Sequence, residues 1–245
     1  KHPAPVWAFD MSAAALDEAV AAGAHKAASV AEVAEQADVV FLSLPGGKQV
    51  AAVCAALAKP GLTIIDLSTT SVADAREIAA RLAGQGIAFI DAPVARTRQA
   101  AIDGTLSIMV GASDEQFAAV EPLLRYIGSD VTHCGEVGCG QVVKLVNNCL
   151  LFENVAAIAE MMVVAERAGV SADKLIAAVG LGSGNSFALQ NHGKKAMAPR
   201  TFPLKAFPST YTLKDLDYAI ELAQQVGVEP RVARLASAFY QQAVD

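Results

Sequence analysis

The sequence predicts an α/β domain built on a largely parallel sheet, followed by an all-α domain, the two linked by one long helix. Short apolar runs alternate with helical stretches as far as residue 134, the arrangement of βαβ units and a parallel sheet. From Gly138 the character changes: residues 140–168 keep an apolar helical pattern with no proline and no internal glycine. Beyond them the helical period continues and no convincing strand remains. The expected border lies at 136–140, giving a first domain over 1–137 and a second over 138–245.

The elements follow in order. VWAF (6–9) reads as a strand and SAAALDEAVAAGA after it as a helix. VVFLSL (39–44) precedes the helical KQVAAVCAALA (48–58), and LTIID (62–66) precedes SVADAREIAARLAGQG. IAFID (87–91), LSIMVG (106–111) and DVTHC (130–134) complete the strands. Between the last two, Ser113 and Gln116 stand at the spacing of a capping box, which starts a helix there. Later helices are expected over 172–180, 209–226 and 230–243.

The composition is 53% hydrophobic but only 6% aromatic, which suits closely packed helices and parallel strands buried on both faces. A net charge of −6 argues against a nucleic-acid surface, since phosphate binding wants a basic patch. The uninterrupted apolar runs are shorter than a bilayer requires, so no membrane span is expected. Cys54, Cys134, Cys139 and Cys149 show no paired Cys-x-x-Cys spacing. They read as buried free thiols of a reducing, cytoplasmic compartment, and no metal site is expected. The chain starts KHPAPV without a methionine, so its true N-terminus is expected to lie further upstream.

One stretch breaks its own pattern. GCGQVVKLVNN (138–148) places a lysine and two asparagines among valines and leucines. At about 100° per residue, Asn148, Leu151, Val155, Ile158 and Met162 all fall within about 40° of Lys144. Lys144 therefore points along the stripe that becomes core further on, with Asn147 about 60° to the other side. Such a lysine either reaches past the first turns into water, pairs with a carboxylate, or sits near a dry pocket. The last arrangement suits proton exchange near neutral pH, because desolvation disfavours the charged amine. An asparagine one turn away can orient a substrate oxygen. Glycines at 138 and 140 are expected to leave room for a ligand.

These motifs resemble the β-hydroxyacid dehydrogenase family, which includes 3-hydroxyisobutyrate dehydrogenases and tartronate semialdehyde reductases. Residues 138–148 are similar to the family's G-x-G-x-x-x-K-x-x-N-N, whose lysine is catalytic. Asp91-Ala-Pro-Val with Gly104–Gly111 looks like the substrate segment, while Leu44-Pro45, Asp66-Leu-Ser68-Thr69 and Lys214-Asp215-Leu216 match further signatures in the family's order. The resemblance implies a Rossmann-type domain binding NAD(P) and a helical domain closing over it. It implies hydride transfer between the nicotinamide and a β-hydroxy acid, with Lys144 moving the hydroxyl proton and Asn147 and Asn148 holding substrate. Leu44, Pro45, Gln49, Thr69 and Lys214 would contact the cofactor.

Two departures stand out. The glycine-rich loop of the dinucleotide fingerprint is absent, along with the strand before it. The chain is therefore expected to be part of a longer enzyme. Where many members continue Ser-Gly-Gly after Asp-Ala-Pro-Val, this chain reads Ala95-Arg96-Thr97-Arg98. That variant is similar to sulfolactaldehyde reductases, which implies that Arg96 and Thr97 grip a sulfonate or carboxylate; a structural ion pair is the competing role for Arg96. Arg98 reads as solvated.

Asp10, at the end of VWAFD, can accept both ribose hydroxyls, so NAD is preferred to NADP. Ser183, in a turn, has a secondary claim on the substrate. The leading expectation is an NAD(P)-dependent dehydrogenase or reductase acting on a small anionic β-hydroxy acid or its semialdehyde, assembled as a homodimer or homotetramer. A non-catalytic relative serving protein association and an imine reductase are the alternatives, and the presence of Lys144 tells against both.

Overall fold

The computed structural model describes residues 3–57, 59–202 and 208–244. Ala58, expected to end a helix, and the chain's first two residues and last lie outside them. Strands β1 (Trp7–Ala8) and β2 (His25–Lys26) form a parallel pair around helix α1 (Ala13–Ala21), and helix α2 (Val30–Gln36) follows. Strands β3 (Val39–Leu42), β4 (Thr63–Asp66) and β5 (Ala88–Asp91) run parallel, joined through helices α3 (Gly47–Ala56) and α4 (Val72–Ala83). The strands β6 (Val94–Ala95), β7 (Leu106–Gly111) and β8 (Gly128–Gly135) complete a six-stranded sheet, with helices α5 (Arg98–Ile102) and α6 (Asp114–Leu124) between them. Here β7 is antiparallel to β5 and β6 but parallel to β8.

Then come helices only among the described residues: α7 (Cys139–Arg167), α8 (Ala172–Val179), a π-helical segment (Leu189–Met197), α9 (Ser209–Gln225) and α10 (Arg231–Gln241). The chain divides into two compact units at Lys144/Leu145, inside α7.

Local chemistry explains the starts. Ser12, Ser29, Ser71, Thr97 and Ser113 each stand before a helix and accept a first-turn N–H, and the Ser113–Gln116 capping box is present. The elements missed in the sequence are β2, α2, β6, α5 and the π-helical segment, none longer than nine residues. β2 is two exposed residues defined only by its pairing with β1. β6 is likewise two residues defined by its pairing with β7, and α5 spans five. The π-helical segment is rich in polar residues and holds Gly193 against Ile158.

In the first unit the sheet is buried on both faces. Ile64 packs with Val40, Leu42, Val50, Leu57 and Leu82, while its neighbour Ile65 packs with Ile90, Ile108, Val110 and Leu124, the continuous apolar strand that parallel sheets require. The second unit has two smaller clusters, around Met162, Ile176 and Leu189 and around Phe152, Leu216 and Ala233. All four cysteines are free, but only Cys54 is buried; the other three are partly exposed, which corrects that expectation.

The helix α7 is long and apolar. By length and composition this 29-residue helix is apolar enough to cross a membrane, although no uninterrupted run reaches that length. Lys144, Asn147, Asn148 and Glu153 interrupt the pattern without reversing its average.

The start of α7 is anchored by the end of β5. The Asp91 carboxylate accepts the Gly138 N–H at 2.7 Å on one oxygen and the Gln141 N–H at 2.8 Å on the other. Two of the donors that a helix N-terminus leaves unpaired are thus satisfied from about fifty residues away. Glycines make the approach feasible. Gly111 pairs with Asp91 across β5 and β7, and a Cβ there would meet the carboxylate. At Gly140 a Cβ would strike the Met109 carbonyl and the same carboxylate, and Gly138 adopts φ +93° beside Arg76. The space beside Gly138 is therefore taken by the Arg76 and Val72 side chains, and that beside Gly140 by the Asp91 carboxylate and the Met109 carbonyl, where a ligand was expected.

Burial raises the Asp66 and Asp91 carboxyls from 3.8 to about 6, in Asp91 against the opposing pull of two N–H groups. A raised acid favours the fold fully below about pH 4 and loses that contribution as the pH climbs through about 6. Asp66 Oδ2 is buried without a hydrogen-bond partner, so Asp66→Asn should flatten the loss of stability between pH 4 and 7 by on the order of 3 kcal/mol, read from urea melts. Asp91→Asn should instead destabilise throughout, by about 1–3 kcal/mol, because its NH2 would oppose a backbone N–H. Gly140→Ala should cost about 1–3 kcal/mol by overpacking; wild-type midpoints in these two variants would refute the anchor.

Candidate functional site

Beyond its anchored first turn, α7 turns one stripe inward. Gln141 is fully buried, Lys144 is 9% exposed, and Leu145, Asn148, Phe152 and Met162 are buried. Leu151, Val155 and Ile158 are partly buried, so the stripe read from Lys144 is the inward face. Asn147, at the other side of the lysine, is exposed. The Lys144 residue is thus largely withdrawn from bulk water on a helix whose start cannot rotate freely.

The loops after β3 and β4 stand beside that start. Ser68 Oγ accepts the Leu44 N–H at 2.9 Å, and Asp66 accepts the Ser68 N–H at 3.0 Å. The Gln141 side chain accepts the Thr70 N–H at 3.1 Å and donates to the Ser68 carbonyl at 2.8 Å. Leu44 and Thr69 are partly exposed, Pro45 and Gln49 exposed, all following the carboxyl ends of parallel strands. This is the edge where open α/β sheets bind ligands. Its mixture of apolar surface and hydroxyl fits the ring and ribose of a nicotinamide dinucleotide. Asp10 follows β1, is exposed, and accepts the Ser12 N–H at 2.7 Å. The glycine loop that would hold a pyrophosphate is not among the 245 residues.

In the second unit, Asn148 donates to Asp215 Oδ2 at 2.7 Å and accepts from Asn147 at 3.1 Å. Asp215 is buried, and its other oxygen lies 3.0 Å from Lys214 Nζ without hydrogen-bond alignment. Lys214 also sits 5.2 Å over the Tyr218 ring. Asn148 and Lys214 therefore converge on Asp215, a residue quoted within a motif but not singled out, while Asn147 joins them through Asn148. The signal for Asp215 was available: a carboxylate beside Lys214 in a pattern that buries Leu216.

Arg96 and Thr97 are held by their own unit. The Arg96 guanidinium donates to the Thr105 carbonyl at 2.6 Å, Ser129 Oγ at 2.9 Å and Asp130 at 2.7 Å. Together with Ser129, it holds the Asp130 carboxyl below its usual range. The ion pair with Asp130, the competing role for this side chain, is formed. The Arg96 backbone has φ +86°, a conformation natural to glycine. Thr97 Oγ1 caps α5 by accepting the Ala100 N–H at 3.3 Å. Arg98 and Ser183 are exposed.

Burial pushes the Cys54 thiol up to about 12, and burial followed by the Glu153 contact does the same for Cys149, so neither offers a thiolate near neutral pH. Among the described residues, no three His, Cys, Asp or Glu side chains gather as metal ligands.

The chain is similar to known proteins over nearly its whole length. Residues 1–135 match the model of the NAD binding domain of 6-phosphogluconate dehydrogenase, and residues 138–245 that of the NAD-binding domain of NADP-dependent 3-hydroxyisobutyrate dehydrogenase. The chain is 33% identical over 247 aligned residues to 2-(hydroxymethyl)glutarate dehydrogenase of Eubacterium barkeri, covering 98% of this chain and 82% of the relative. It is 31% identical to the 2-hydroxy-3-oxopropionate reductase of Escherichia coli, covering 86% and 74%. Among solved structures, 3-hydroxyisobutyrate dehydrogenase of Mycobacterium tuberculosis with L-serine superposes with a TM-score of 0.88 at 32% identity, covering 98% and 85%. With its Rossmann-type domain followed by helices, the chain belongs to the β-hydroxyacid dehydrogenase family of NAD(P)-dependent oxidoreductases.

Proposed function

We propose that the protein interconverts a small β-hydroxy acid and its semialdehyde, with Lys144 as the general acid and base. The observation that carries this reading is the burial of Lys144, one turn beyond the Gln141 that clasps the loop after β4. The substrates for which these relatives are named share one unit: a carboxylate whose neighbouring carbon bears a CH2OH or aldehyde. In the oxidative direction the carbinol C–H leaves as hydride and the O–H proton passes to the neutral Lys144 amine; reduction reverses both, so no free alkoxide accumulates. The nicotinamide supplies the hydride acceptor or donor when bound.

Asp10, Leu44, Pro45, Gln49 and Thr69 hold that cofactor, with Lys214 contributing from the helical unit. Asp10 favours NAD, because a carboxylate accepts ribose hydroxyls and repels a 2′-phosphate. Asn147 and Asn148 orient the substrate, with Asp215 fixing the Asn148 amide. Arg96, beside Thr97, binds the anionic head, carboxylate or sulfonate, by exchanging its Asp130 partner for the ligand. The exposed apolar residues of α7, Val146, Leu150, Met161 and Val164 among them, pack against further copies of the chain in a cytoplasmic homodimer or homotetramer.

The direct test is a panel of β-hydroxy acids and sulfonates assayed separately with NAD and NADP. Lys144→Ala should lower kcat by about 10²- to 10⁴-fold while leaving cofactor affinity nearly intact; undiminished turnover would remove the proposed role. Arg96→Ala should raise KM for anionic substrates by about 10-fold or more, as expected for loss of a charged hydrogen bond. A KM unchanged across the panel would leave Arg96 with its Asp130 pairing alone.

A further inference from the structure

The Gln141 side chain spans a single residue of the opposite loop. Its carbonyl oxygen accepts the N–H of Thr70 and its NH2 donates to the carbonyl of Ser68, at 3.1 and 2.8 Å. The amide thus occupies the place that a neighbouring strand would take, and Thr69 lies between the two contacts. Gln141 has no exposed surface, and its own N–H is held by Asp91. Both backbone and side chain of this residue are therefore fixed, each by a different element. Lys144 follows three residues later, about 60° around the same helix.

We propose that Gln141 is a positioning residue that keys the Thr69 loop to the turn of α7 carrying Lys144, so that cofactor-binding loop and proton-exchanging amine keep one relative register. This rests on the reading of Lys144 as the acid and base. Three features of the geometry support it. The clasp is made by side-chain amide chemistry rather than by apolar contact, so it fixes direction as well as distance. It reaches the loop backbone, hence the path of Thr69 whatever its side chain does. Finally, the adjoining Leu44 N–H is tied to Ser68 Oγ, so a shift of the Ser68 carbonyl also moves the loop after β3. Without the amide, the Thr70 N–H and Ser68 carbonyl lose their partner while the helix stays anchored through Asp91. The loop and the helix would then be free to slip against each other.

The test compares Gln141→Met, close in volume and unable to make either bond, with Gln141→Leu and Lys144→Ala in the full chain. Turnover is expressed per folded molecule, with the folded fraction read from far-UV circular dichroism and urea melts. Both Gln141 variants should lose about 10- to 100-fold in kcat, the scale of a misplaced catalytic group, with substrate KM changed less than about 3-fold. A residue serving stability alone would lower the folded fraction and leave kcat per folded molecule unchanged. Wild-type kcat per folded molecule in either variant, beside an inactive Lys144→Ala, would overturn the positioning role and leave the lysine's intact. An active Lys144→Ala would overturn both.

Discussion

A carboxylate at the end of one strand receiving the first N–H groups of a helix is the interaction on which the rest of this structure depends. Asp91 lies on β5 and its donors belong to Gly138 and Gln141, so the sheet dictates where α7 begins and how it is turned. The inward residues of its first turns, Gln141 and Lys144, inherit their direction from this contact. The glycines at 111 and 140 follow as a requirement, since a side chain at either would occupy the space the carboxylate needs. What reads in the sequence as room left for a ligand is a closely packed joint.

The joint also explains how a polar site survives in a helix made mainly of apolar residues. An amide and an amine on a core-facing stripe cost free energy unless their partners are placed in advance. Gln141 finds two backbone partners, and Asn148 finds Asp215. These bonds span long sequence separations, so each depends on the fold being complete. The polar residues give the helix one rotational setting where an apolar stripe alone would tolerate several.

Much of this was legible in the sequence because it rests on period. Strands buried on both faces announced themselves as apolar runs, and Ser113 with Gln116 specified its cap from four letters. The stripe through Lys144 followed from helical geometry alone and is the buried one. Other features carried no local signal. β2 becomes a strand only by lying beside β1, and Asp91 becomes a cap only when α7 is brought to it. The partners of Arg96 lie on β8 and in the loop before β7, so spacing along the chain could not separate an anion clamp from an internal pair. Asp215 was in view as part of a motif, but its bond to Asn148 crosses 67 positions.

The backbone at Arg96 has a consequence of its own. An L-residue held at φ +86° stores on the order of 1–2 kcal/mol of steric cost, and the guanidinium's three bonds to Thr105, Ser129 and Asp130 offset it. Glycine would trace the same path without that penalty. The loop can therefore exchange a charged arm for bare peptide while the sheet beneath keeps its shape, so its selectivity and its architecture are separable.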